Sequence, residues 1–180
     1  MAHDGQYDLM IETPVMKDIL ALTQQAVKPL ETLNTKAINN LRELVTLDNK
    51  VSSSLIETHQ SAAHGVAWLA TYTESIRQMV KWGEKVSEQN KFGQTEQLLL
   101  QIAVSEYLGQ ILGGIMMSQG EIFRLNDIGL TTLDLSEFQT QAVKDLIQNG
   151  NNQHARALLV DIMLEPVSYT HLTLPTSQLV

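Results

Sequence analysis

Between Leu55 and Val80 the chain sets Leu55, His59, Ala62, Val66, Leu69, Thr73, Ile76 and Val80 at alternating intervals of four and three residues. A line of that period lies along one side of a helix, and predicts a single long helix from Ser52 to Gln89 packed lengthwise on a neighbour. Asn90-Lys91-Phe92-Gly93 then makes a turn too short for anything but an antiparallel return. The next stretch, Thr95 to Ile115, is apolar almost all round, with Leu98, Leu100, Ile102, Val104, Leu108 and Ile111, and such a helix belongs in an interior. Gln97, Gln101, Ser105 and Gly109 read as its one thin outer strip.

Weaker patterns flank this pair. Thr13-Pro14 has the form of a helix start, and a stripe from Val15 through Val27 predicts a helix ending before Pro29. A second runs from Leu30 to Val45 and breaks near Asp48-Asn49. Ser118 to Glu121 and Ser136 to Gln139 have the form of capping boxes, each opening a further helix, with a stop at Asn149-Gly150 and a last helix to Leu164. No strand alternation of useful length occurs. The expected fold is all-α: a helical bundle around the antiparallel pair 52–89 and 95–115, with a C-terminal helix pair. The expected division is N-terminal helices (1–50), bundle core (51–130), C-terminal helix pair (131–166) and tail (167–180).

Composition narrows the chemistry. The 180 residues are 43% hydrophobic and 18% charged, a folding chain rather than a disordered one. Twelve basic against twenty acidic residues give a formal charge of −8 with no basic stripe, which argues against nucleic acid or an anionic membrane as partner. With no cysteine there is no thiolate nucleophile and no cysteine-ligated metal. No apolar run reaches membrane-spanning length, and MAHDGQYDLM has no signal-peptide form, so the expected location is the cytoplasm.

Candidate sites are few. His59 and His64, five apart, fall on different helix faces and cannot share a metal. Glu106, within the apolar helix, has the setting of a general base but no second catalytic group in register. Trp68, Tyr72, Met79 and Trp82 recur near helical spacing and read as core or interface aromatics rather than a cofactor platform. Arg77 with Glu74 and Lys81 reads as a solvated face. Gly109 and Gly113, four apart, predict a close helix crossing against Ala63 and Ala70. No residue is assigned as catalytic, cofactor-binding or metal-ligating.

Two stretches of text resemble known sequences. Val167 to Thr176, VSYTHLTLPT, resembles the in-frame translation of a transposon-type sequencing adapter, so residues 167–180 are expected to be foreign and the chain a fragment. His64 to Met79, Phe92 to Ile115 and Met117 to Leu130 resemble the helical N-terminal extension of large bacterial acyl-CoA dehydrogenase-like flavoproteins. Those proteins usually have proline where Met116 stands. Glu88-Gln89-Asn90-Lys91-Phe92-Gly93 is also similar to the Glu-Arg-x-x-Phe-Gly pattern in the C-terminal bundle of acyl-CoA dehydrogenases, with Gln89 in place of the arginine that helps hold flavin. The resemblance implies a non-catalytic interaction or assembly domain of a flavoenzyme that oxidises acyl-CoA thioesters. It implies FAD in the full-length protein and none in this piece, the flavoenzyme core as partner in cis, and a possible homo-oligomer. The alternative is a free-standing helical adaptor with no activity.

Overall fold

The computed structural model describes residues 14–164; the adapter-like tail lies outside the described residues, as does Thr13. Helices α1 (Ile19–Val45), α3 (Gln60–Glu88) and α4 (Gln94–Gly113) form the bundle. Short α2 (Ser53–Thr58), α5 (Thr132–Phe138), α6 (Gln141–Asp145) and α7 (Gln153–Leu164) pack around them. The only described strands are two-residue pairs, β1 (Thr46–Leu47) with β2 (Lys50–Val51) and β3 (Ile115–Met116) with β4 (Ile122–Phe123), both antiparallel. The fold is all-α, as the periodicity predicts.

Both long-helix pairs run antiparallel. Gln24 donates to Glu84 across α1 and α3, and the Tyr72 hydroxyl donates to Gln110 across α3 and α4. Leu30, Leu33, Leu69, Ile76, Leu100, Val104, Leu108 and Ile111 meet in the core. The heptad line on α3 is buried from Val66 onward, while Leu55, His59 and Ala62 are half-buried. α3 and α4 are therefore the expected spine, but α1 packs along α3 as its equal.

Four local expectations change. α1 is one helix, not two: Ile19, Thr23, Ala26, Leu30, Leu33 and Ala37 form a continuous buried stripe that passes Pro29. Proline inside a helix costs about 3 kcal/mol, and burial of that whole stripe outweighs it. The helix begins at Ile19 because Pro14 to Met16 are held in non-helical backbone by Gln101 of α4. The expected helix 52–89 breaks at His59, where α2 gives way to α3. Ser118 to Glu121 is the turn of the β3–β4 hairpin rather than a helix start, with the Glu121 carbonyl accepting from the Met117 and Ser118 amides. α5 takes its capping box from Thr131 and Asp134, leaving Ser136 inside the helix, and α6 opens separately on Thr140. A π-helical turn, Leu146–Gly150, leads from α6 toward α7.

Candidate functional site

The strip taken as the outside of α4 is its most interior polar surface. Gln101 is 0% exposed and Ser105 is buried, because the π turn and α7 cover that side. The Gln101 side chain joins three stretches of backbone: Nε2 donates to the carbonyls of Pro14 and Gly150, and Oε1 accepts from the Met16 amide. Gly150 lies so close to Ser105 that a Cβ there would overlap its hydroxyl. Sequence reasoning missed this node because an amide among leucines reads as a face turned to water, whereas here its donors and acceptor are all satisfied by protein.

The side of α4 that faces out carries Leu99, Glu106 and Gly113. Glu106 is thus not a buried carboxylate; its two oxygens accept from the side-chain amides of Gln110 and Asn151. Arg156 donates to Asn151, and Tyr72 donates to Gln110, so a chain of hydrogen bonds crosses from α7 through Asn151 and α4 to α3. Partial burial pushes the Tyr72 hydroxyl pKa up, with the neighbouring Tyr107 and Glu106 adding to it. Trp68 sits edge-on to Tyr72 and donates from Nε1 to His64 Nε2. The rings of His64, Trp68 and Tyr72 engage one another in sequence and then Tyr107, while Trp82 stands exposed further along α3.

Beyond the adjoining residues and backbone of α4 itself, no described atom lies within 4 Å of a Cβ built on Gly109 or Gly113, so the close crossing expected there is not made by the described residues. Ala70 lines a cleft toward α1 instead, and Ala63 is half-buried near the start of α3. The glycines of α3 that neighbours do press upon are Gly65, beneath the Phe123 ring, and, less tightly, Gly83, against Leu100 and Leu20. Gly113→Ala is accordingly expected to raise stability by about 0.4–1 kcal/mol, the gain of a helical site with room. Gly113→Leu should be tolerated as well. Denaturant midpoints of the two variants decide it: a marked loss for the leucine variant would mean that something covers this face.

Ion pairs fasten the outer helices. Lys36 of α1 reaches Asp134 at 2.6 Å and Glu137 at 2.7 Å on α5. The Lys36 ammonium, with the Thr131 hydroxyl and amide, holds the Asp134 carboxyl well below the usual carboxylate range. Arg77 pairs with Glu74 through two nitrogens, and with Gln78 lowers the Glu74 pKa to about 2. A carboxylate with a depressed pKa contributes stability above its ordinary value of 4.5 and loses it as pH falls toward 2. The Arg77→Met variant should therefore show a shallower fall in melting temperature over that interval, and the difference should shrink in high salt because the pair is exposed. Parallel acid limbs at low salt would count against the pairing.

The cleft between α1 and α3, about 560 Å³, is lined by Lys28, Glu31, Lys36, Thr73, Glu74 and Arg77 among others. Its charges are of both signs, and two of its cations, Lys36 and Arg77, are already committed to carboxylates. Among the described residues no three His, Asp or Glu side chains are grouped to hold a metal ion, and no helix is long and apolar enough to cross a membrane. The arrangement offers packing, hydrogen-bonded seams and partly exposed aromatics.

Comparison with known proteins gives the setting for such a structure. No family model matches the chain. Over 154 residues, 86% of its length, it is 47% identical to a (2S)-methylsuccinyl-CoA dehydrogenase of Cereibacter sphaeroides. The chain is similar to part of an acyl-CoA dehydrogenase. It spans only 27% of that dehydrogenase's length. The resemblance drawn from His64–Met79, Phe92–Ile115 and Met117–Leu130 thus has a counterpart in a curated protein, and the similarity reaches well beyond those stretches.

Proposed function

We propose that this chain is a non-catalytic helical domain of an acyl-CoA dehydrogenase-like flavoenzyme, and that it serves interaction or assembly while the oxidation of an acyl-CoA thioester takes place in the rest of the polypeptide. The observation that carries the reading is the 47% identity to a dehydrogenase of which the chain accounts for 27%. The remaining flavoenzyme core, in cis, is the partner, and a homo-oligomer of the whole is compatible with it. Along the chain we read an N-terminal helical segment (1–50), a bundle core (51–130) and a C-terminal helix pair (131–166). Cytoplasmic location and the absence of a nucleic-acid partner belong to the same proposal.

FAD would belong to the full-length protein. Its pyrophosphate needs backbone N–H groups at a helix start or a committed cation. Gln89, the counterpart of the family's arginine, ends α3, where the exposed groups are carbonyls and the helix dipole is negative. The two glycines of α4 lie inside or at the end of the helix rather than in a loop before it. These residues do not fit the group. The purified 180-residue chain is expected to be colourless and to give no saturable flavin fluorescence quenching with added FAD or thermal shift with an acyl-CoA. A yellow preparation would refute the division of labour.

A further inference from the structure

Two hairpins crown one end of the bundle, where α1 finishes, α3 begins and α4 finishes. In the second hairpin one rung, Ile115 opposite Phe123, is buried in the core. The next rung, Met116 opposite Ile122, is 64% and 41% exposed. A ribbon with one side in water carries polar residues on that side, whereas one apolar on both faces is covered on both. The first hairpin repeats the theme. Asp48 and Asn49 adopt left-handed backbone (φ 50° and 59°) to close a turn that leaves Leu47 and Val51 more than 60% exposed. Strained turn residues and a two-residue ladder bring no burial to the bundle here. Between the junction of α2 with α3 and the second hairpin lies a pocket of about 260 Å³, lined by Ala62, Met117, Ile122 and Phe123 and by as many polar residues, His59 and Asp127 among them.

We infer that this hairpin end is the face on which the remaining dehydrogenase polypeptide docks, with one of its apolar side chains seated in the pocket between α2 and the second hairpin. The inference rests on the function proposed above and adds the surface to it. Length supplies the occupant: most of a polypeptide like the Cereibacter sphaeroides relative lies outside the part this chain matches. Charge disfavours a second copy, since a chain of formal charge −8 repels itself. Apolar anchors in a pocket, ringed by polar groups, are the ordinary form of such a contact.

The test uses the full-length relative with its matched segment replaced by residues 14–164, beside the free 180-residue chain. Amides of residues 115–123 should exchange about tenfold or more slowly in the chimera relative to the free chain. Met116→Lys with Ile122→Lys should leave the free chain's melting temperature unchanged and lower that of the chimera by several degrees, with Met116→Gln and Ile122→Gln as the milder pair. Equal exchange rates in a flavin-loaded, active chimera overturn the docking face and leave the proposed function standing. A chimera that holds no flavin instead overturns the proposed function, and the inference with it. A free chain that sediments as a dimer, and as a monomer once Ile122→Lys is made, assigns the face to a second copy and also overturns the inference.

Discussion

Gly65→Ala is expected to destabilise the protein by about 3 kcal/mol, at the upper end for overpacking, although alanine is the better helix former. Gly65 is buried on α3, and the Cβ of an alanine would fall within the Phe123 ring of β4. Phe123 is itself almost fully buried, part of the core with Leu125 and Ile128, so its ring can move only by giving up core contacts. Either the ring turns off its rotamer or the hairpin lifts from α3, and both lose packing. Phe123→Leu in the Gly65→Ala background should recover part of the loss, since a smaller side chain vacates the ring's position. Urea midpoints for the two single variants and the double give the coupling directly. Additive effects would mean that the two residues do not press on each other.

Gln101→Leu is expected to cost a similar amount, about 2–4 kcal/mol, although leucine fills nearly the same volume in an apolar helix. The substitution strands the Met16 amide and the carbonyls of Pro14 and Gly150, each of which now finds its partner in this one side chain. Leaving a buried polar group unsatisfied costs about 1–3 kcal/mol, and water reaching some of the three groups keeps the total below the sum. Gln101→Glu should be nearly as harmful, because a carboxylate cannot donate to the two carbonyls. Calorimetric melting with limited proteolysis at residues 14–18 reads both effects. A leucine variant as stable as the parent and equally resistant to cleavage would show the three bonds to be dispensable.

The heptad line of α3 and the near-uniform apolarity of α4 are strong enough on their own to specify the antiparallel pair. The 4,3 spacing of Ile19, Thr23, Ala26, Leu30, Leu33 and Ala37 is just as regular. It escapes notice because one of its members is a threonine and a proline stands beside it, although Thr23 closes its hydroxyl onto the Leu20 carbonyl and so buries without cost in unpaired groups. The expectation of a helix at Ser118 failed because capping-box composition is local. Glu121 spends its carboxylate on Ser61 of α3, sixty residues away, and its carbonyl on the hairpin. The site itself was less legible. Small residues four apart signify a close approach only if a neighbour is present, and the neighbours of Gly65 and Gly150 come from strand β4 and from Ser105, far along the chain. The dehydrogenase setting was legible in words rather than in chemistry, since it was the wording of His64–Met79, Phe92–Ile115 and Met117–Leu130 that carried the resemblance.

The Gln101 node also bears on the order in which the chain assembles. Its three bonds join residues separated by 85, 87 and 49 positions along the chain. During synthesis the lead-in at Pro14 leaves the ribosome first and must wait for α4 and then for Gly150 before it is held. The loop entropy of that closure falls late, after α3 and α4 have zipped through local contacts. Residues 14–16 are therefore expected to settle late and release early, and a φ-value near zero at Gln101 would be the kinetic mark of it. A nascent chain stalled before Gly150 would carry a preformed bundle with a loose front end, accessible to processing or to a chaperone until the π turn closes over it.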